Sequence, residues 1–120
     1  MRNVLLSLLL LPTSVLSLAG EADVLSAKVE FIGDGNYRFN VTIQHTDEGW
    51  GHFAKAWVIL NSDDKILGSR ILRHPHSKKP FTRSAIIAIP EEISQVVIRA
   101  YDQIHEFGGK ELIIEINKDK

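Results

Sequence analysis

Histidine is the residue type in this sequence best suited to forming a chemical site. The chain holds five histidines and no cysteine. Neutral imidazole is the commonest protein ligand for transition metals. A carboxylate stands three residues before the last histidine, so both side chains can turn toward one point. The residue types predict one transition-metal ion, iron, copper or zinc, with nitrogen and oxygen ligands drawn from His45, His52, His74, His76, Asp102 and His105.

Other kinds of site find little support in the sequence. No serine stands in a recognisable nucleophile-and-base arrangement, and neither a phosphate-binding loop nor a dinucleotide fingerprint is present. The formal net charge is −1, which gives no overall attraction to nucleic acid or to a membrane surface. We therefore predict no nucleic-acid partner.

The elements that must position the histidines read as β-strands. Apolar residues alternate with polar ones over 27–31 and 37–43, and the GDGN sequence between them is a strong hairpin signal. Five further short apolar runs follow, separated by polar or proline-containing turns, at 53–60, 66–72, 81–89, 96–101 and 112–117. This spacing predicts an all-β fold, an antiparallel immunoglobulin-like β-sandwich of about seven strands.

Strand direction then indicates where the histidines lie. Successive antiparallel strands reverse the chain, so successive connections lie at opposite ends of the sandwich. The connections at 45–52, 73–80 and 102–110 should share one end, and these three contain every histidine. Loops at one end of a rigid sandwich are common places for binding sites.

Several features near this end have two interpretations. Any single histidine could be an ordinary surface residue. Four cations could steer a small anion toward the site or simply form a solvated basic loop: Arg73, Lys78, Lys79 and Arg83. Asp47 and Glu48 could orient a ligand imidazole, although a solvated acidic turn explains them as well.

The first 20 residues have the pattern of a cleaved secretory signal peptide. Arg2 gives a positive start, an apolar run covers 4–11, and small residues occur at Ser17 and Ala19. An uncleaved membrane anchor is the alternative, but the apolar run is shorter than the roughly 20 residues that a span needs. We expect residues 21–120 to form one periplasmic or secreted domain, with no membrane span after cleavage and, without a cysteine, no lipid attachment.

Two stretches resemble the iron domain of desulfoferrodoxin and superoxide reductase. RAYDQIHEFG, residues 99–108, is similar to the segment that ends that domain, and HTDEGWGHFAKAWVIL, residues 45–60, is similar to its histidine–loop–histidine–strand segment. The resemblance implies an immunoglobulin-like sandwich with iron held by four histidines and an axial cysteine. It would make His45, His52 and His105 ligands and place Asp102 at the cysteine position. His74 or His76 would replace the family's early histidine, which has no counterpart here.

Three hypotheses about function follow. The first is an exported protein that binds one metal ion at the loop end. The second is a superoxide reductase-like enzyme acting on a small oxidant, with a small anion or a redox protein as partner. The third is an interaction module or subunit that contacts another protein without a metal.

Overall fold

The computed structural model describes residues 21–45, 51–76 and 79–116. The predictions about residues 1–20, Asp47, Glu48 and Lys78 fall outside these ranges. The described residues contain no helix that is long and apolar enough to cross a membrane. They form seven strands: β1 (Asp23–Gly33), β2 (Asn36–Gln44), β3 (Ala54–Leu60), β4 (Ile66–Ile71), β5 (Phe81–Ala88), β6 (Gln95–Asp102) and β7 (Leu112–Glu115).

The strands form two sheets that pack face to face. One sheet has the order β1-β2-β5 and the other the order β4-β3-β6-β7. Every pairing is antiparallel. The chain passes from one sheet to the other after β2, after β4 and after β5, as in immunoglobulin-like sandwiches. The predicted all-β sandwich of about seven strands is confirmed.

The alternating pattern of the sequence explains which faces are buried. In β2, Tyr37, Phe39, Val41 and Ile43 are buried, while the residues between them are partly exposed. Strand β3 is buried almost throughout, because β4 and β6 flank it and the second sheet covers its inner face. Trp57 of β3 is fully buried and is the largest side chain of the core.

The turn between β1 and β2 is a tight hairpin. Asp34 and Gly35 have φ angles of 54° and 77°. Two successive residues with positive φ are what the preferred two-residue hairpin turns require, and Asp-Gly is among the sequences that adopt them most readily. This turn lies at the end of the sandwich opposite the histidines.

The prediction that three connections share one end is also confirmed. Ala54, at the start of β3, pairs with Asp102, at the end of β6. In the other sheet Ile43, near the end of β2, pairs with Phe81, at the start of β5. We call this end, which carries all five histidines, the histidine end.

Candidate metal centre

A buried aspartate is the centre of the candidate site. Asp102 is the last residue of β6 and is 0% exposed. Its Oδ1 accepts hydrogen bonds from the backbone N–H groups of Ile104 at 2.7 Å and His105 at 2.6 Å. The backbones of Asp102 and Glu106 also exchange two hydrogen bonds, of 3.0 and 3.1 Å. The turn that follows β6 therefore fixes the orientation of this carboxylate.

His45 reaches the carboxylate from the opposite sheet. It follows the last residue of β2 and its side chain is fully buried. Its Nε2 lies 3.2 Å from Asp102 Oδ2. Since β2 and β6 belong to different sheets, this contact joins the two halves of the sandwich at the histidine end.

Two further imidazoles complete the group. His52, two residues before β3, places its Nε2 3.5 Å from Asp102 Oδ1, and its side chain is 12% exposed. His105 places its Nδ1 3.3 Å from Asp102 Oδ2, and its side chain is 33% exposed. The ring centroids of His52 and His105 are 5.0 Å apart. We call His45, His52, Asp102 and His105 the carboxylate–histidine cluster.

The spacing of the ligand atoms suits a metal ion. One ligand atom each from His45, His52 and Asp102 lies within 4.8 Å of the other two. Two ligands bound at about 2.0–2.1 Å to one tetrahedral ion lie about 3.3–3.4 Å apart. Asp102 Oδ2 lies 3.2 Å from His45 Nε2 and 3.3 Å from His105 Nδ1, close to that separation, and Asp102 Oδ1 lies 3.5 Å from His52 Nε2.

The two carboxylate oxygens differ in their surroundings. Oδ1 already accepts two backbone N–H groups, which occupy the two lone pairs of a carboxylate oxygen. Oδ2 faces the ring nitrogens of His45 and His105. Oδ2 is thus the oxygen available to a metal ion, while Oδ1 holds the carboxylate in place from behind.

The cluster favours the ionised form of its carboxylate. Burial by itself raises the pKa of Asp102. The backbone N–H groups of His105 and Ile104, the side chain of His105 and the positive potential of His45 together outweigh burial, so the pKa lies below the usual value. Asp102 therefore remains charged at neutral pH and can bind a cation.

Neighbouring residues that the sequence did not single out hold the loops of the cluster. The side-chain oxygen of Gln103 accepts the backbone N–H of Phe53 at 3.0 Å, which ties the β6 end to the β3 start. The backbone N–H of Lys110 donates to Asp23 Oδ1 at 2.7 Å. A Cβ atom on Gly109 would lie 1.9 Å from the carbonyl oxygen of Ala22, so only glycine fits there. These contacts depend on segments far apart in sequence, which periodicity does not reveal.

The other two histidines lie at the same end but form a separate pair. The rings of His74 and His76 are 4.8 Å apart, and His76 stacks on Phe81 with ring centroids 3.8 Å apart. Neither residue belongs to the group of mutually close ligand atoms found among the described residues. Arg73 and Arg83 line a cavity beside this pair. Lys79 is exposed nearby.

A curated protein of another organism shares much of this sequence. No family model matches the chain. A protein of Halomicrobium mukohataei named "Putative lipoprotein" is 38% identical to the chain over 95 residues, which are 79% of this chain and 47% of that protein. The chain thus spans about half the length of the curated relative it matches.

One solved structure also shows a match. The crystal structure of the "Putative ApaA Protein" from Bordetella pertussis is 11% identical. The match covers 83% of this chain and 91% of that chain, with a TM-score of 0.31. At that score the likeness carries no argument about fold or function.

Proposed function

We propose that this chain is an exported β-sandwich protein that binds one transition-metal ion in the carboxylate–histidine cluster. His45, His52 and Asp102 are the protein ligands, and His105 is a fourth ligand and the third nitrogen donor. The observation that supports this most strongly is the set of 3.2–3.5 Å separations around one buried carboxylate. Imidazole and carboxylate ligands without sulfur suit zinc, copper, nickel or ferrous iron.

The exposure of the ligands suggests how such an ion would be used. His45 and Asp102 are fully buried, whereas His105 is 33% exposed, so one side of the cluster opens to solvent. Metal sites with three protein ligands and an open fourth position bind water or a substrate there. Replacement of His105 by an incoming ligand would leave the three closely spaced ligands in place.

Isothermal titration of the metal-free protein with zinc, copper, nickel and ferrous iron tests the proposal. We expect one equivalent to bind with a dissociation constant below about 100 μM, which corresponds to about −5.5 kcal/mol. Affinity should fall as the pH is lowered, because protons compete with the metal ion for the ligand nitrogens. Failure of all four metals to bind more tightly than this would refute the metal proposal and favour the interaction-module hypothesis.

Export is supported by two observations. The N-terminal sequence has the pattern of a secretory signal. The Halomicrobium relative is named "Putative lipoprotein", a class of exported proteins. Lipid attachment through cysteine is not available to these 120 residues, which contain none. Cell fractionation followed by N-terminal sequencing tests the proposal, and we expect the exported chain to begin near residue 20 or 21.

A second candidate function is reduction of a small oxidant such as superoxide. The two segments that resemble superoxide reductase carry β3 and β6, which pair directly and bring His52 and Asp102 together. By that resemblance Asp102 stands where the family has an axial cysteine, and a carboxylate cannot supply the electron donation of a thiolate, so we expect slower chemistry than a thiolate-ligated iron gives. Pulse radiolysis of iron-loaded protein tests this function: a ferrous site that does not react with superoxide contradicts it, whether or not the metal binds.

A further inference from the structure

A cavity at the histidine end has the opposite electrostatic character to the carboxylate–histidine cluster. Its volume is about 280 Å³. Three arginines and two histidines surround it, and no carboxylate is among its lining residues. We call this set the basic pocket; its lining is Arg70, Leu72, Arg73, His74, His76 and Arg83.

Among the described residues, no carboxylate pairs with the arginines of the pocket. Residues 65–90 contain six lysines and arginines and no aspartate or glutamate, although the whole chain has a net charge of −1. In the part of the chain that the structure describes, Arg70, Arg73 and Arg83 form no ion pair with a carboxylate. A concentration of guanidinium groups without counter-charge raises the local concentration of anions.

Backbone contacts hold two of the guanidinium groups in place. Arg70 is in β4, and its Nε donates to the carbonyl oxygen of Ser84 in β5 at 2.9 Å. A second nitrogen of Arg70 donates to Ile71 O at 2.7 Å. Arg83 lies 5.3 Å from the ring centroid of Phe81, over the face of the ring, and donates to Thr82 O at 2.7 Å. These contacts order the side chains before any ligand arrives, which lowers the entropic cost of binding.

The contacts leave most of the donors unused. A guanidinium group carries five N–H donors. Arg70 uses two of them and Arg83 uses one in the hydrogen bonds above. The remaining N–H groups are available to a ligand from more than one side of the cavity. The fork geometry of arginine matches pairs of oxygen atoms on one centre, as phosphate and sulfate present them.

We propose that the basic pocket is a binding site for a small tetrahedral oxyanion of the phosphate type. Arg73 and Arg83 provide the charge, Arg70 closes the gap between β4 and β5 behind the ligand, and the two imidazoles add N–H donors. This site is separate from the metal proposal, because none of its residues belongs to the carboxylate–histidine cluster.

The basic pocket shares part of its lining with a neighbouring cavity. An adjoining cavity of about 400 Å³ shares Leu72 and Arg73 with the basic pocket. It extends to Phe53 and Gln103, which are the chain neighbours of His52 and Asp102. Arg73 therefore lines both cavities.

Binding of inorganic phosphate to metal-free protein tests the proposal. The measurement is a two-dimensional ¹H–¹⁵N NMR titration at constant ionic strength, with sodium chloride as the reference salt. We expect saturable shifts at the Arg70, Arg73 and Arg83 side chains that chloride does not produce. Arg73→Gln should weaken binding at least tenfold, and Arg73→Lys should restore part of it.

The matched control is Lys28→Gln, which removes the same charge from an exposed position in β1. It should change phosphate affinity less than twofold. Equal weakening by Lys28→Gln and Arg73→Gln would overturn the proposal, because attraction would then depend on net charge alone. We expect a dissociation constant of about 1 mM for phosphate. Absence of saturable shifts up to about 20 mM phosphate would therefore also overturn the proposal.

Free oxyanions and lipid headgroups share the same chemistry, so a second experiment with lipid vesicles distinguishes the two ligands. Sedimentation with phosphatidylglycerol vesicles is compared with sedimentation with phosphatidylcholine vesicles. The proposal predicts the phosphate response in solution and no preference for anionic vesicles. Arg73-dependent binding to the anionic vesicles without any response to inorganic phosphate would overturn the assignment to a free anion.

Discussion

The histidine end carries two groups of imidazoles that differ in the charge placed beside them. The carboxylate–histidine cluster surrounds Asp102, a fully buried anion. The basic pocket sets His74 and His76 among three arginines. Imidazole is compatible with either surrounding, because its unprotonated nitrogen can donate a lone pair to a metal ion and its N–H can donate a hydrogen bond to an anion. The neighbouring charge therefore decides whether the group suits a cation or an anion.

The two groups also differ in their position in the sandwich. The cluster lies where β2 and β6 end and where β3 begins. Each of these three strands has a neighbouring strand on both sides. The basic pocket lies between β4 and β5, the edges of two different sheets. Inner strands place side chains in a buried setting suited to coordination, whereas the open edge leaves charged side chains in contact with solvent.

Removal of the carboxylate should have the largest effect on this contrast. Asp102→Asn keeps the size of the side chain but removes the negative charge and the ligand oxygen. We expect zinc affinity to fall at least about 100-fold, the upper end of the losses caused by changing groups that merely support ligands. Isothermal titration measures this loss.

Asp63→Asn is the matched control, since Asp63 is exposed at the opposite end of the sandwich. It should leave zinc affinity unchanged. Asp102→Asn protein that folds normally and binds zinc like the wild type would show that the carboxylate is not a ligand.

Replacing one histidine of each group by alanine should give a smaller but still clear difference in zinc affinity. His52→Ala removes a partly exposed member of the cluster and should weaken zinc binding about 10–100-fold. His74→Ala removes an exposed member of the other pair and should change zinc affinity less than twofold. Equal losses in the two variants would contradict the separation of the two groups.

Substitutions of two glycines test how the 102–110 connection, which carries Asp102 and His105, is held in place. The Cβ atom added by Gly109→Ala would lie only 1.9 Å from the carbonyl oxygen of Ala22. We therefore expect a loss of stability of about 1–3 kcal/mol. Gly51→Ala meets nothing within 4 Å and should be nearly neutral. Urea unfolding of both variants measures the difference. A neutral Gly109→Ala would mean that the 102–110 connection is not held by the N-terminal segment.

The smallest expected effect concerns acid stability without metal. Because the pKa of Asp102 is lower in the folded protein than in the unfolded chain, its ionisation stabilises the folded state above the ordinary carboxyl range, about pH 4. This contribution is lost as the pH falls through the folded-state pKa. Urea midpoints measured below about pH 4 should therefore decline less in Asp102→Asn than in the wild type. Equal declines of the urea midpoint in the two proteins would contradict a lowered pKa of Asp102 in the folded state.

The sequence pattern predicted the strands because each has a period of two or a short apolar run bounded by turns. The predicted strand at 53–60 became β3, Ala54–Leu60, and the predicted strand at 96–101 became β6, Gln95–Asp102. Strand parity correctly placed all five histidines at one end. Parity defines only the position along the sandwich, however, and not the position across it.

That distinction explains which site residues the structure brings together. His45, His52, Asp102 and His105 flank strands that lie near one another at the centre of the histidine end. His74 and His76 are in the connection between β4 and β5, which crosses at the open edge, so they form a separate pair.

Arg70, which lines the basic pocket, was not predicted as a site residue from the sequence. It lies inside a strand rather than in the basic loop, and only the packing of the two sheets brings its side chain to the Ser84 carbonyl of β5. The absence of acidic residues over 65–90 was the available signal.

The difference between the two histidine groups is tested most directly by locating a bound metal. Crystals of zinc-loaded protein, measured at the zinc absorption edge, give an anomalous map in which both groups are visible together. We predict one peak about 2.0–2.2 Å from the ring nitrogens of His45 and His52 and from Asp102 Oδ2. A peak on the His74–His76 pair, or no peak at the carboxylate–histidine cluster, would contradict the account.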